Sequence, residues 1–389
     1  MTSSNLFRTE NGRTPGYARP IPLHWWAAAD AVVLLVFLGA ASVAPAQHAP
    51  EPARPDISLP AISVPTPVFE TAPARVRVDQ ARLDRALARA DELTPVSSLL
   101  VRQGGEMIVE RYYRGMTASR TTNMKSVSKT LLSPLIGIAI RDGLLAGPDE
   151  PLSELFPDYW QRLEGAGVED AKRRLTLHHV LSMTTGIEST SFGNYGAWVS
   201  SRDWVWDQLR RPMVCRPGCF EYSTGNTHLL SAALSERSGT SLRSYAREQF
   251  FGPLGIALPE WDRDPQGRYL GGNNMALTPR DLMKVGEVFL AGGRWEGRQL
   301  VPEEWIELSW RPRATSPWNG HRYGYLWWSD HWGGHTAYFA WGYGGQYLVL
   351  VPDLGLVAVV TSSLSRTQRG HTRRLRDFFD DYLIPAFAG

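Results

Sequence analysis

The chain has 389 residues, 43% hydrophobic and 21% charged, enough for one large domain or two interleaved ones. Its net charge is +2, from 41 basic and 39 acidic residues, which argues against nucleic acid as the main partner. Its 15 Trp fit a cleft lined by rings, although large cores use Trp too.

The first 46 residues read as a targeting segment. Arg8, Arg13 and Arg19 precede Trp25-Trp26, and an apolar run extends from Ala31 to Ala44. Ala44-Pro45-Ala46 resembles a small-residue cleavage site, so the segment is either a secretory signal or an uncleaved membrane anchor. A full span would have to include Asp30, at a cost of about 2.5–3.5 kcal/mol. Either reading exports the remainder of the chain to a periplasm or cell envelope, with a membrane as partner if the segment stays attached. Residues 47–76 are rich in Pro and Ala and read as an extended linker.

The globular domain is expected over 77–389. Val78 to Leu93 has helical spacing through Leu83, Leu87 and Ala90. Ser98–Arg102 and Met107–Tyr113 read as strands joined by a hairpin at Gly104-Gly105. A helix is expected to run from Ser126 to Ile140. Leu144 to Trp160 reads as a loop with short helical pieces, and Leu175 to Gly186 as a capped helix. His178 and His179 on it read as a helix surface and a packed ring rather than as ligands. Cys215 and Cys219 flank the turn Arg216-Pro217-Gly218 and are either a small-loop disulfide or two unpaired thiols. Further helices are expected over Asp203–Leu209, Asn226–Ser238, Thr278–Ala291 and Pro302–Leu308.

Four strand patterns come next: Tyr323–Trp328, Thr336–Trp341, Tyr347–Val351 and Leu356–Thr361. A helix over Arg373–Ile384 closes the chain. Strands at both ends with helices between predict an α+β (α/β) arrangement. Its antiparallel sheet is drawn from both chain ends and flanked by helices, with a mostly helical lobe inserted at roughly 143–275.

The chemistry concentrates at Ser126-Val127-Ser128-Lys129. On a helix start, residues three apart share a face, so Lys129 lies over Ser126. A serine hydroxyl needs a neighbouring base, and a lysine in poorly solvating surroundings has the lowered pKa to act as one. An ordinary capping Ser followed by a helical Lys would give the same spacing. Two further stretches are suited to the same chemistry. Tyr222, in Phe220–Thr227, lies on a loop before a helix, where a phenol can relay a proton. Ala340-Trp341-Gly342-Tyr343-Gly344-Gly345-Gln346 sets three glycines at a strand edge, where backbone N–H groups can meet an oxyanion. No Gly-x-Ser-x-Gly elbow, phosphate loop or dinucleotide fingerprint occurs.

In that order the three elements resemble the serine β-lactamase and penicillin-recognising superfamily, in its class C-like branch. That branch includes esterases, D-Ala-D-Ala peptidases and 6-aminohexanoate-dimer hydrolases. The resemblance runs from Ser97 to the C-terminus. It implies a β-lactamase/transpeptidase-like fold and, residue by residue, Ser126 as acylated nucleophile, Lys129 as its base and Tyr222 as second acid/base group. It further implies an oxyanion hole from the N–H groups of Ser126 and Tyr343, with Thr224, Trp341 and Gly342 at the substrate, and no metal or cofactor. Two positions depart from the pattern. Thr224 stands where Asn or Ser is usual, a mild change because a hydroxyl still hydrogen-bonds. Ala340 stands where relatives carry the Lys or His that binds a β-lactam carboxylate. The expectation is therefore a serine hydrolase cleaving an ester or linear amide. A β-lactamase or D-Ala-D-Ala carboxypeptidase is the alternative, and a non-catalytic envelope binding protein the rival from another class.

Overall fold

A computed structural model describes residues 76–388; the targeting and linker assignments, apart from Val76, lie outside them. Val96–Gln103 (β1) and Glu106–Tyr112 (β2) are the first hairpin, and Gly104 and Gly105 turn it at φ 56° and 85°. The other six strands of the sheet come from the far end of the chain. They are Ala314–Thr315 (β3), Arg322–Tyr323 (β4), Trp328–Trp332 (β5), His335–Gly342 (β6), Gln346–Val351 (β7) and Leu356–Ser362 (β8). The spatial order is β2-β1-β8-β7-β6-β5-β4-β3, with antiparallel pairing throughout. β7 and β8 are buried along their whole length, which is why their apolar runs are continuous rather than alternating.

Helices cover both faces. Gln80–Glu92 (α1) is capped by Asp79, whose side chain accepts the Arg82 N–H, and buries Leu83, Ala86, Leu87 and Ala90. Val127–Thr130 (α2) and Ser133–Arg141 (α3) come after the hairpin, and Thr224–Ser238 (α4) ends at Gly239 in the left-handed region. Pro279–Leu290 (α5) lies on the sheet so closely that a Cβ on Gly286 would sit 2.7 Å from Val357. His371–Asp377 (α6) closes the fold and continues as a π turn over Phe378–Leu383. Between α3 and Ala276 the described chain is helices, loops and isolated bridges. Thr122–Asn123 pairs with Ala276–Leu277 at the base of this excursion and brings its two ends together.

Three expected elements differ. The helix expected from Ser126 to Ile140 breaks into α2 and α3, because Pro134 has no N–H for the Thr130 carbonyl. The strand expected over Tyr323–Trp328 is β4 and the start of β5, parted where Leu326 adopts φ 66°. The helix expected over Leu175–Gly186 is only Leu177–Leu181, since Met183 at φ 58° and Gly186 at φ 71° turn the chain away. On it, the His178 ring meets the Tyr325 hydroxyl at 2.7 Å, and His179 completes the capping box of Thr176. Cys215 and Cys219 are joined as a disulfide.

Candidate active site

The site begins with the backbone before Ser126. Lys125 adopts φ 50°, a conformation that costs a non-glycine residue roughly 1–3 kcal/mol, and its N–H donates to Asn123 Oδ1 at 2.9 Å. The chain then winds directly into α2, with the Lys129 N–H donating to the Ser126 carbonyl at 3.0 Å. The buried Ser128 hydroxyl accepts the Met275 N–H at 3.1 Å, fastening this turn to the 272–275 loop.

Lys129 is 1% exposed. Its Nζ lies 2.7 Å from the Gly272 carbonyl, 3.1 Å from Thr224 Oγ1 and 3.4 Å from Ser126 Oγ. Desolvation alone brings its pKa down to about 7. A neutral amine has two hydrogens and one lone pair. The Gly272 carbonyl can only accept, and Thr224 Oγ1 can take the second hydrogen, which leaves the lone pair for the Ser126 hydroxyl.

Tyr222 arrives from the other side. It is 8% exposed, and its hydroxyl interacts electrostatically with Ser126. Burial pushes its pKa far above the ordinary phenol value, so it remains a proton donor across the physiological range. Its ring stacks on Trp328 with centroids 5.7 Å apart, and Lys129 Nζ lies 5.1 Å from its centroid. The Ser189–Ser191 run holds the Tyr222 segment in place. Ser189 Oγ donates to the Tyr222 carbonyl at 2.6 Å, the Thr190 N–H donates to Ser223 Oγ at 3.1 Å, and Ser191 Oγ accepts the Thr224 N–H at 2.9 Å.

Thr224, assigned to the substrate side by resemblance, is 4% exposed, and its hydroxyl lies between Lys129 Nζ and Ser191 Oγ, the latter 2.9 Å away. The third wall is the end of β6. Its ladder with β5 stops at Phe339, whereas its ladder with β7 continues through Gly342. Ala340–Gly342 thus reach past the end of β5 toward the Ser126 turn. A Cβ on Gly342 would stand 2.4 Å from the Met124 carbonyl, so only glycine lets the strand come this close. Trp341 is half-buried and lies parallel to Tyr347, and the side chain of Tyr343 is exposed.

The structure thus gathers Ser126, Thr224 and Tyr222 around Lys129, with Gly342 against the preceding turn. Sequence reasoning missed two supports. Gly272 acts through a backbone carbonyl, and a Cβ there would meet Thr227 Oγ1 at 2.0 Å and Lys129 Cγ at 3.2 Å. The Ser189-Thr190-Ser191 run left a signal, three adjacent hydroxyls.

A buried lysine beside a serine at a helix start, under an antiparallel sheet built from both chain ends, defines a Ser-x-x-Lys hydrolase fold. The Beta-lactamase family model matches residues 83–379, and the chain belongs to that family. The 6-aminohexanoate-dimer hydrolase of Paenarthrobacter ureafaciens is 26% identical over 261 residues, 60% of this chain and 64% of that protein, so the match spans less than two thirds of that relative. The structure of EstCE1, a hydrolase with promiscuous acyltransferase activity, superposes with TM-score 0.62 at 17% identity, covering 77% of this chain and 99% of that one. A D-stereospecific amidohydrolase from Streptomyces sp. gives TM-score 0.57 at 16% identity, with 77% and 98% covered. All three relatives are hydrolases by name.

Proposed function

We propose that this protein is an exported serine hydrolase that cleaves an ester or linear amide through an acyl-enzyme on Ser126. The observation that carries the reading is the Lys129 amine. It is desolvated, its acceptors besides Ser126 are a carbonyl and a hydroxyl, and it lies 3.4 Å from the nucleophilic oxygen.

Lys129 takes the Ser126 proton as Oγ attacks the carbonyl carbon. The N–H groups of Ser126 and Tyr343 receive the oxyanion. Tyr222, held protonated, gives its proton to the departing oxygen or nitrogen as the scissile bond breaks. The proton that Lys129 gained neutralises the Tyr222 phenolate through water that enters as the leaving group departs. A water in the vacated space gives a proton to the same base and attacks the carbonyl carbon; the Ser126 Oγ–carbonyl bond breaks, Oγ takes that proton back from Lys129, and the acid is released. Ala340 puts a methyl group where a carboxylate-binding cation would stand, which favours substrates without a carboxylate at that end over β-lactams. The Cys215–Cys219 bridge supports an oxidising compartment and hence export.

The test sets a p-nitrophenyl ester series beside nitrocefin, with a fluorophosphonate probe and then peptide mass spectrometry. Ester turnover and a label on Ser126 are expected. Nitrocefin turnover with idle esters would favour the β-lactamase reading, and no label at all would favour a binding protein.

A further inference from the structure

One exposed feature is left unused by this chemistry. Phe192 is 67% exposed and adopts φ 52°, a conformation that a bulky residue enters only under constraint. The constraint is visible. Ser191 is tied to Thr224, and Asn194 Nδ2 donates to the Ser189 carbonyl at 2.9 Å, which pins the loop on both sides of Phe192. Its ring meets Trp318, itself 50% exposed, edge-on with centroids 5.7 Å apart. Both rings adjoin Tyr222, at 6.3 Å and 6.0 Å between centroids. Strain that keeps an apolar ring in water does not serve the core. A ligand that covers the ring would account for it.

We propose that Phe192 and Trp318 are the leaving-group shelf of the site, selecting esters and amides whose departing alcohol or amine carries a planar aromatic group. The inference rests on the Ser126 acyl-enzyme reading. In that reaction the Ser126 Oγ–carbonyl bond forms, the bond to the leaving atom breaks, and the Tyr222 proton moves to that atom. Whatever departs therefore passes Tyr222, and the rings beside Tyr222 are the surface it meets. An aromatic group there covers both exposed rings and meets them in offset or edge-to-face contact.

The experiment keeps the acyl group fixed and varies the departing alcohol. Benzyl acetate and ethyl acetate give the same acetyl-enzyme, so the ratio of their kcat/KM values, normalised to alkaline hydrolysis, reports the leaving group alone. A ratio of roughly ten or more is expected for the parent. Phe192→Gly and Trp318→Ala should each bring it down several-fold, and Phe192→Tyr should retain it. Because glycine accepts φ 52° without strain, Phe192→Gly should melt no lower than the parent. A parent ratio near one, variants that keep the parent ratio, or a preference that tracks the acyl ring (methyl phenylacetate over methyl acetate) would each overturn the inference alone. No turnover of any ester, with no fluorophosphonate label, would overturn the Ser126 reading and the shelf with it.

Discussion

Lys129 Nζ and the Gly272 carbonyl oxygen are 2.7 Å apart, and this contact fixes which way the lysine's lone pair faces. A carbonyl has no hydrogen to give, so one N–H is committed there in either protonation state. Thr224 can take a second. The Ser126 side is then the open side of the neutral amine, and the site is polarised before any substrate arrives.

Removing the amine should therefore remove acylation. Lys129→Ala is expected to lower ester kcat/KM by about 10²–10⁴-fold, the range of a lost general base, and to abolish rapid fluorophosphonate labelling. Far-UV circular dichroism of the same sample should match the parent. Near-parent activity would reassign the base.

The pH profile depends on the same group. Lys129 acts as base only when neutral, and its pKa is brought down to about 7 by burial. The kcat/KM of the free enzyme should thus rise with pH through about 7 and then reach a plateau, because the Tyr222 phenol holds its proton well above that point. Stability has the same sign. Between about 7 and the ordinary value of 10.5 the unfolded chain binds a proton at this lysine that the folded chain does not. Unfolding free energy contributed by this group therefore increases with pH across that window. Denaturant melts at pH 7 and pH 9 check it in a Lys129→Met background, where the contribution should vanish.

Thr224 separates positioning from binding. Thr224→Ser keeps the acceptor for Lys129 and should stay within a few-fold of the parent. Thr224→Val removes the acceptor for the second hydrogen and should shift the acid limb of the pH profile while leaving KM largely unchanged. A large KM change with an unmoved limb would mean that Thr224 touches substrate instead.

Gly342→Ala tests the strand approach. The added methyl would stand 2.4 Å from the Met124 carbonyl, so β6 and the Ser126 turn must part by tenths of an ångström. The expected result is a loss of about 10²-fold in kcat with modest change in melting temperature, as for a displaced oxyanion donor.

The Cys215–Cys219 bridge closes a loop four residues apart. Chain entropy gives such a small loop about 2 kcal/mol of stabilisation. Reduction, or Cys215→Ser with Cys219→Ser, should lower the melting temperature by a few degrees and leave ester turnover intact.

The parts of the site legible in the sequence act through side chains at short spacing. Ser126 and Lys129 are three residues apart on one turn, and Tyr222 announces itself by loop position and order. What stayed hidden acts through backbone. The Gly272 carbonyl leaves no residue signature, and the role of Gly342 appears only when the Met124 carbonyl is beside it. The enclosure of the Thr224 hydroxyl by Ser191 and Lys129 was hidden too, because neither residue is near Thr224 in the chain. In the fold, the sheet drawn from both chain ends was legible from its turns and apolar runs. The break at Pro134 was missed because continuous apolar residues masked one absent N–H. The split at Leu326 was missed because nothing in a leucine advertises a left-handed backbone.

β1 is sandwiched between β2 and β8, with Leu100 opposite Val359. A growing polypeptide on the ribosome therefore holds its first hairpin in waiting until β8 has been made. The strand edge that faces Ser126 belongs to the same late segment. No shortened translation product ending before β6 can carry the assembled pocket, so the pocket exists only once β6 has been made.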